Sequence, residues 1–286
     1  MMVSVRSDRP VDAITVAVSR EIAKVAQELK LPYFLVGAMA RDIILTHVFG
    51  LDTGLATRDV DFGVAVKDWD EFNGIKVLLI KTGRFTAAPN IQQRVYFQPN
   101  SGSSGYPVDI IPFGGVEDPP LSIAWPPGQS EIMSVIGYDE ALATALLVQV
   151  EAGLTVSVAS LPGLALLKLF AWRDRHAETR KDAQDLAILF RHYVAAGNQG
   201  RLYDTEMSLL QMVDFDVDLA GARLLGKDVR RIAADATLAR ANALLDNAPL
   251  MERLVTHMSV AFQTAEDSVE AALRLLAQFK SGFTQG

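Results

Sequence analysis

The sequence predicts an α+β fold, in which a mixed β-sheet with flanking helices is followed by a mainly α-helical region. Short apolar runs bounded by glycine, proline and polar residues alternate with helical patterns as far as residue 113. From residue 162 onward, helical spacing is almost continuous. Half of the residues are hydrophobic and 21% are charged, a balance that is typical of a folded globular protein.

The first predicted elements are a helix, a strand and a second helix. Residues 11–29 carry apolar side chains at helical spacing, and a proline soon afterwards ends the helix. Residues 33–36 form a short apolar run that stops at Gly37, and helical spacing resumes over residues 41–49. The predicted order is therefore strand, glycine turn and helix.

The next elements follow from alternating and helical patterns. They are a strand over residues 59–66, a helix over residues 69–80, and strands over residues 94–98 and 108–113. The turn-rich residues 99–106 between the last two strands predict a hairpin tip.

A change in composition predicts a boundary between two domains. Four prolines surround Trp125 within residues 117–129, which is typical of a rigid connecting loop. We therefore predict a first domain over residues 1–130 and a mainly helical second domain over residues 131–286.

After this boundary, a strand pair is followed by helices. Residues 146–150 and 154–158 flank a glycine and predict two strands, with a helix as the alternative for the first of them. Helical spacing then predicts helices over residues 162–175, 180–196, 219–234, 237–245, 251–262 and 266–279.

Charge and composition exclude several classes of function. Against 34 acidic residues there are 27 basic ones, and the net charge of −7 disfavours loose electrostatic binding to nucleic acid or to an anionic membrane. The absence of cysteine excludes disulfides and thiol catalysis. The sequence shows no targeting segment and no apolar run of spanning length. We expect a cytoplasmic protein without a membrane partner.

Three carboxylates are the candidates for chemistry. Asp59 and Asp61 are two residues apart in a predicted strand, so their side chains point to the same face and repel each other unless a cation lies between them. Asp109 lies within another apolar strand, where an unpaired carboxylate is costly to bury. Such oxygen ligands select Mg²⁺ or Mn²⁺. The alternative is that Asp59 caps a turn and Asp61 faces solvent.

The glycine turn upstream of these acids favours the functional interpretation. A glycine at position 37 lets the backbone approach a phosphate closely. The helix that starts near Ala38 offers amides and the positive end of its dipole to the same group. We therefore predict that Gly37 and Ala38 bind a phosphate group, although Gly37 alone would be an ordinary turn glycine.

These residues resemble the nucleotidyltransferase superfamily. The resemblance rests on residues 34–42, 58–62 and 108–111, which match a glycine motif, a paired acidic motif and a third acid in that order. It departs at Ala38, where the superfamily usually has glycine or serine. The resemblance implies metal-dependent transfer of a nucleoside monophosphate from a nucleoside triphosphate (NTP) to an acceptor hydroxyl, with divalent metal ions bound by the three aspartates.

A second stretch is similar to the AbiEii-type branch of this superfamily, the abortive-infection and type IV toxin-antitoxin nucleotidyltransferases. It covers residues 164–175 and 180–186. The similarity implies that a lysine helix and an arginine-aspartate motif complete the nucleotide site. The residues concerned are Lys168, Arg173, Arg175 and Asp182. It also implies a tRNA 3′ end or a protein as acceptor, and a cognate antitoxin as partner.

Lys168 is the residue of this stretch on which the physical argument depends. It is a single charge in a helix that is apolar nearly all round, so it needs an anionic partner, which an NTP would supply. Alternatively, its stem packs while its ammonium reaches solvent. Asp182 alternatively caps a helix, and Asp185 alternatively pairs with an arginine.

Other functions stay open at this level. A CCA-adding type of enzyme and a small-molecule nucleotidyltransferase are the enzymatic alternatives, and a non-catalytic nucleotide-binding or regulatory protein is the alternative of another class. If one site uses both stretches, Lys168 faces the three aspartates across a cleft between the domains, on the order of 10 Å away.

Overall fold

The computed structural model describes residues 2–54, 57, 59–100, 105–128, 132–262 and 267–285. The chain forms two compact units, Met1–Gly50 with Gly54–Ala159, and Leu51–Thr53 with Ser160–Gly286. The predicted α+β class is confirmed, because the first unit contains a mixed sheet and the second is helical. The chain passes into the second unit after Ala159, later than the predicted boundary at residue 130, because one more strand pair belongs to the sheet.

The first unit contains the described strands and four of the helices. The strands are β1 (Met2–Ser4), β2 (Tyr33–Val36), β3 (Val60–Val66), β4 (Phe85–Ala87), β5 (Arg94–Phe97), β6 (Tyr106–Gly114), β7 (Ser122–Ala124), β8 (Ile132–Ser134), β9 (Leu146–Glu151) and β10 (Leu154–Val158). The helices are α1 (Ala13–Leu29), α2 (Gly37–Asp42), α3 (Trp69–Lys81) and α4 (Tyr138–Ala143), and α2 continues into a π-helical segment, Ile43–Val48.

The main sheet has the strand order β1-β9-β10-β2-β3-β6-β5-β4 among the described residues. The central strands β3 and β6 run parallel, while β2 and β5 run antiparallel to them on either side. Their apolar side chains, such as Phe34, Phe62 and Ile110, are fully buried. This packing fixes the register of the strands, because a slip by one residue would turn the buried side chains outward.

Capping side chains determine where two of these helices begin. Asp12 caps α1 by accepting hydrogen bonds from the amides of Ile14 and Thr15. Asp68 caps α3 by accepting a hydrogen bond from the amide of Glu71.

The strand pair β9–β10 is confirmed. The helix alternative for β9 is wrong, because this segment pairs as a strand with β10 and β1. The short elements β1, β4, β7, β8 and α4 were not predicted, since they carry too few residues for a periodic signal. Part of the predicted hairpin tip, residues 101–104, lies outside the described residues.

The second unit is built from the remaining helices. They are α5 (Leu161–Arg175), α6 (Lys181–His192), α7 (Gln199–Asp204), α8 (Met207–Gln211), α9 (Val217–Ile232), α10 (Asp235–Leu245), α11 (Ala248–Ser259) and α12 (Ser268–Gln285). A π-helical segment, Val194–Asn198, follows α6, and a short 3₁₀ helix, Val260–Phe262, follows α11.

Helix α5 is central to this unit because it is buried on nearly every side. Its residues Leu164, Leu166 and Trp172 are 1% exposed or less, as its apolar sequence predicts. Helices α9 and α12 pack backbone to backbone, since a Cβ on Gly226 or Gly282 would overlap a carbonyl oxygen of the other helix. At these two glycines, the α9–α12 contact leaves no room for a larger side chain.

Candidate functional site

A row of register partners crosses four neighbouring strands of the sheet in the first unit. Val36 at the end of β2 pairs with Asp61 on β3, Asp61 pairs with Asp109 on β6, and Asp109 pairs with Arg94 at the start of β5. Register partners point to the same face of a sheet. The structure therefore brings Asp61 and Asp109 side by side and adds an arginine next to them.

Gly37 closes one end of this row. It follows Val36 directly and has a φ of +71°, a backbone conformation that glycine adopts without strain. A Cβ at this position would overlap the Oδ2 atom of Asp61. The glycine is therefore required twice, by the backbone turn and by the carboxylate against it. Ala38 follows within the first turn of α2, at the position the sequence predicts for the start of this helix.

Arg94 holds the carboxylate of Asp109 with two hydrogen bonds. Its Nε and Nη2 atoms donate to Oδ1 and Oδ2 of Asp109, each over 2.7 Å. The side chains are 26% and 14% exposed. The hydrogen bonds to Asp109 raise the pKa of Arg94 above its usual value, against the lowering effect of burial. Sequence reasoning missed this residue, since only the β5–β6 register places it opposite the acid.

Asp59 lies immediately before β3 and is half-buried. The hydroxyl of Thr57 donates to its Oδ1 atom over 2.7 Å. The neighbouring Arg58 lies outside the described residues. Arg41, near the end of α2, is 1% exposed, and its Nη2 atom contacts the carboxylate of the neighbouring Asp42 over 2.6 Å.

The chemistry of these donors suits a hard divalent cation. Carboxylate oxygens are the ligands that Mg²⁺ and Mn²⁺ prefer, and Asp61 and Asp109 are adjacent. In the described part of the chain, no three His, Cys, Asp or Glu side chains converge as ligands of one ion. Both oxygens of Asp109 point to Arg94 instead. The donors fit the metal in type, while Asp109 is held by a cation of the protein itself.

In the second unit, Lys168 on α5 lies between two carboxylates of α6. Its Nζ atom is 3.0 Å from Oδ1 of Asp182 and 2.5 Å from Oδ2 of Asp185. All three side chains are buried, with exposed fractions of 10%, 1% and 4%. The anionic partner that Lys168 needs is therefore supplied by the protein, and the alternative that its ammonium reaches solvent is wrong.

Arg175 completes this group. Its Nε and Nη2 atoms donate to the two oxygens of Asp182 over 2.6 and 2.8 Å. Burial raises the pKa of Asp182, but the positive charges of Lys168 and Arg175 outweigh it and hold the pKa below its usual value. Burial lowers the pKa of Lys168, but Asp185 and Asp182 reverse that effect and raise it.

Asp182 and Arg173 make contacts that the sequence did not predict. Asp182 makes no cap at the start of α6, because its carboxylate binds Lys168 and Arg175, while the hydroxyl of Thr179 accepts a hydrogen bond from the Lys181 amide there. Arg173 pairs with the neighbouring Asp174 over 2.6 Å and lies 5.1 Å from the ring centre of Phe170. Lys168, Arg175 and Asp182 are thus brought together, whereas Arg173 has a different acidic partner.

Comparison with solved structures finds distant similarity. An antigenic nucleotidyltransferase-like protein from Paracoccidioides brasiliensis shares 17% identity, over 76% of this chain and 94% of that chain, with a TM-score of 0.45. The antibiotic-resistance factor ANT(2'')-Ia shares 12%, over 71% and 98%, with a TM-score of 0.40. A CCA-adding enzyme in complex with ATP shares 15%, over 94% and 70%, with a TM-score of 0.32.

No protein-family model matches the sequence, and no curated protein matches it. Among the described residues, no helix is both long and apolar enough to cross a membrane.

Proposed function

We propose that the protein is a metal-dependent nucleotidyltransferase that moves a nucleoside monophosphate from an NTP to an acceptor hydroxyl. The observation that carries this proposal is the adjacency of Asp61 and Asp109 on β3 and β6, beside a glycine turn whose Cβ position is filled by the Asp61 carboxylate. Two acids held side by side next to a glycine turn are suited to bind a cation, which in turn recruits the phosphates of an NTP.

The reaction needs the protein to bind and orient the triphosphate and to accept the proton of the acceptor hydroxyl. The acceptor oxygen attacks the α-phosphorus of the NTP, the bond to the β-phosphate breaks, and pyrophosphate leaves with the electron pair. The backbone amides of Gly37 and Ala38 bind and orient the triphosphate. Asp109 takes the proton of the acceptor hydroxyl as a general base, through an oxygen that Arg94 has released, on the face of the sheet that it shares with Asp61.

Mg²⁺ or Mn²⁺ would be held by Asp59, Asp61 and Asp109. When bound, the cation would neutralise charge on the triphosphate and lower the pKa of the acceptor hydroxyl. Asp61 and Asp109 are positioned for this by the β3–β6 register, and Asp59 by its place one residue before β3.

The AbiEii-type assignment belongs to this proposal as its finer part. It is supported by the similarity of residues 164–175 and 180–186 to that branch, and it implies a tRNA 3′ end or a protein as acceptor, with a toxin role and a cognate antitoxin. Lys168, Arg173, Arg175 and Asp182 are included as nucleotide-binding residues. The ammonium of Lys168 already contacts the carboxylates of Asp182 and Asp185. A phosphate that binds Lys168 would therefore join an existing cluster of charged side chains.

Nucleotide transfer can be measured directly. The protein is incubated separately with four NTPs labelled at the α-phosphate, with Mg²⁺, and with total RNA in one arm and an RNA-free protein extract in the other. We expect label to enter one of these acceptors, and transfer to fall at least about a hundredfold in Asp61→Asn, since an ionised ligand of the reacting centre is lost.

Asp70→Asn is the matched control, because Asp70 is an exposed aspartate on α3 of the same unit. Full transfer by Asp70→Asn beside loss in Asp61→Asn supports the proposal. Equal transfer by the wild type and Asp61→Asn contradicts it. If neither arm takes up label but an aminoglycoside or another small hydroxyl compound does, the small-molecule alternative is correct. NTP binding that does not require Mg²⁺, without transfer to any acceptor, favours the non-catalytic alternative.

A further inference from the structure

Arg94 is placed by the sheet so that it can contact Asp109 with its whole guanidinium edge. The two residues are register partners on the antiparallel pair β5–β6, which brings their Cβ atoms close together. Two parallel hydrogen bonds of 2.7 Å join them. This forked geometry is the strongest arrangement that arginine makes with a carboxylate, and both side chains are mostly buried.

The same two oxygens are the ones that Asp109 would offer to a divalent cation. A carboxylate oxygen that accepts a hydrogen bond from arginine keeps a lone pair, but the guanidinium charge lies directly in front of it. A cation that binds Asp109 therefore meets a positive charge at hydrogen-bonding distance from its ligand. Either the guanidinium moves away or the cation binds more weakly.

We propose that Arg94 is an internal counterion of the acidic site, which holds Asp109 in the cation-free protein and opposes the binding of the divalent cation. This inference rests on the proposed function and adds a positioning residue to it. Arg94 is fixed by its backbone in the β5 ladder, but its side chain is 26% exposed and has a path toward solvent. The guanidinium gives up at least one oxygen of Asp109 when a cation binds.

Two effects with opposite signs follow for a variant without the arginine. In the absence of metal, loss of the counterion leaves the negative charges of Asp61 and Asp109 uncompensated and lowers stability. In the presence of metal, loss of a competing positive charge raises cation affinity. A purely structural arginine would show the first effect without the second, so the two together identify the role.

Mn²⁺ binding to Arg94→Met tests this directly, because methionine keeps much of the apolar stem. We expect the dissociation constant for Mn²⁺, measured by calorimetric titration, to fall about tenfold, the effect of removing one charge at contact distance. We also expect a lower melting temperature without Mn²⁺ and a larger rise of that temperature upon its addition.

Arg84→Met is the matched control. Arg84 also contacts a carboxylate, that of Glu21 at 3.4 Å, and lies over the ring of Phe97 on β5, but it is not a register partner of the acids. Its Mn²⁺ affinity should equal that of the wild type. If Arg94→Met fails to fold, Arg94→Lys replaces it, since lysine keeps the charge but not the fork and should raise Mn²⁺ affinity by a smaller factor.

Unchanged or weaker Mn²⁺ binding in the folded Arg94 variant would overturn the inference. Asp61→Asn separates this outcome from a failure of the proposed function. If the wild type binds Mn²⁺ and Asp61→Asn does not, the site exists and only the role of Arg94 is in question. If the wild type and Asp61→Asn bind Mn²⁺ equally, or neither binds it, the metal site is wrong, and the role of Arg94 falls with it.

Discussion

The substitution Lys168→Met is expected to destabilise the helical unit strongly. It keeps the aliphatic stem of the side chain and removes the ammonium that lies between Asp182 and Asp185. Both carboxylates are buried and face that ammonium from helix α6. The variant therefore leaves buried negative charge without its central cation, although no cavity is formed.

The size of the effect follows from the burial and the remaining partners. Removing one partner of a buried ion pair costs about 3–5 kcal/mol. Arg175 keeps its two hydrogen bonds to Asp182, so that this carboxylate retains a cation, although the Arg175 side chain is 51% exposed. We therefore expect the lower end of the range, about 3 kcal/mol of lost unfolding free energy.

The loss should depend on pH in a defined direction. Because the pKa of Asp182 is lowered in the folded protein, its contribution to stability is complete above the unfolded pKa of about 3.9 and is lost as the pH falls through the folded pKa. The pKa of Lys168 is raised, so its contribution is complete below the unfolded value of about 10.4. The difference between wild type and variant should be largest between these values and shrink below about pH 4.

Tryptophan fluorescence can follow the helical unit during urea unfolding. The chain has three tryptophans, and Trp172 lies on α5, one turn after Lys168, while Trp69 and Trp125 belong to the other unit. With both of these replaced by phenylalanine, the signal reports α5. Adding Asp185→Asn to Lys168→Met should recover part of the loss, because asparagine carries no charge. A stability of Lys168→Met equal to or above that of the wild type at pH 7 would refute the reasoning.

Three glycine substitutions test the packing within each unit, at positions where a Cβ would meet either a close neighbour or open space. Gly37→Ala should lower stability and abolish nucleotide transfer, since its Cβ would overlap the Asp61 carboxylate at a φ of +71°; full activity would contradict the assigned turn. Gly282→Ala should lower the urea midpoint markedly, because its Cβ would overlap the carbonyl oxygen of Arg223 across the α9–α12 contact. Gly74→Ala is the counterpart in α3, where a Cβ meets open space, and should raise stability by up to about 1 kcal/mol; a loss there would show that the contact geometry does not control these effects.

Much of the first unit could be predicted from local sequence patterns. The run 33–36, the glycine after it and the alternation around Asp61 specify a strand, a turn and a strand, because side chains that alternate or repeat every 3.6 residues record which face is buried. The spacing of Asp59 and Asp61 also places two acids on one face by geometry alone. These properties depend on neighbours in sequence, so the sequence determines them without the tertiary structure.

The partners of the charges were decided only by the tertiary structure. Lys168 indicated an anion, but the sequence could not show that Asp182 and Asp185 on the next helix supply it. Asp109 indicated a cation, but its partner Arg94 depends on the register of β5 against β6. A buried charge indicates that its partner has the opposite sign, but it does not indicate which residue the partner is. Coulomb attraction depends on the distance between two charges in space and not on their separation along the chain. Which opposite charge comes within 3 Å is set by strand register and helix packing, and these are fixed by the buried apolar core as a whole.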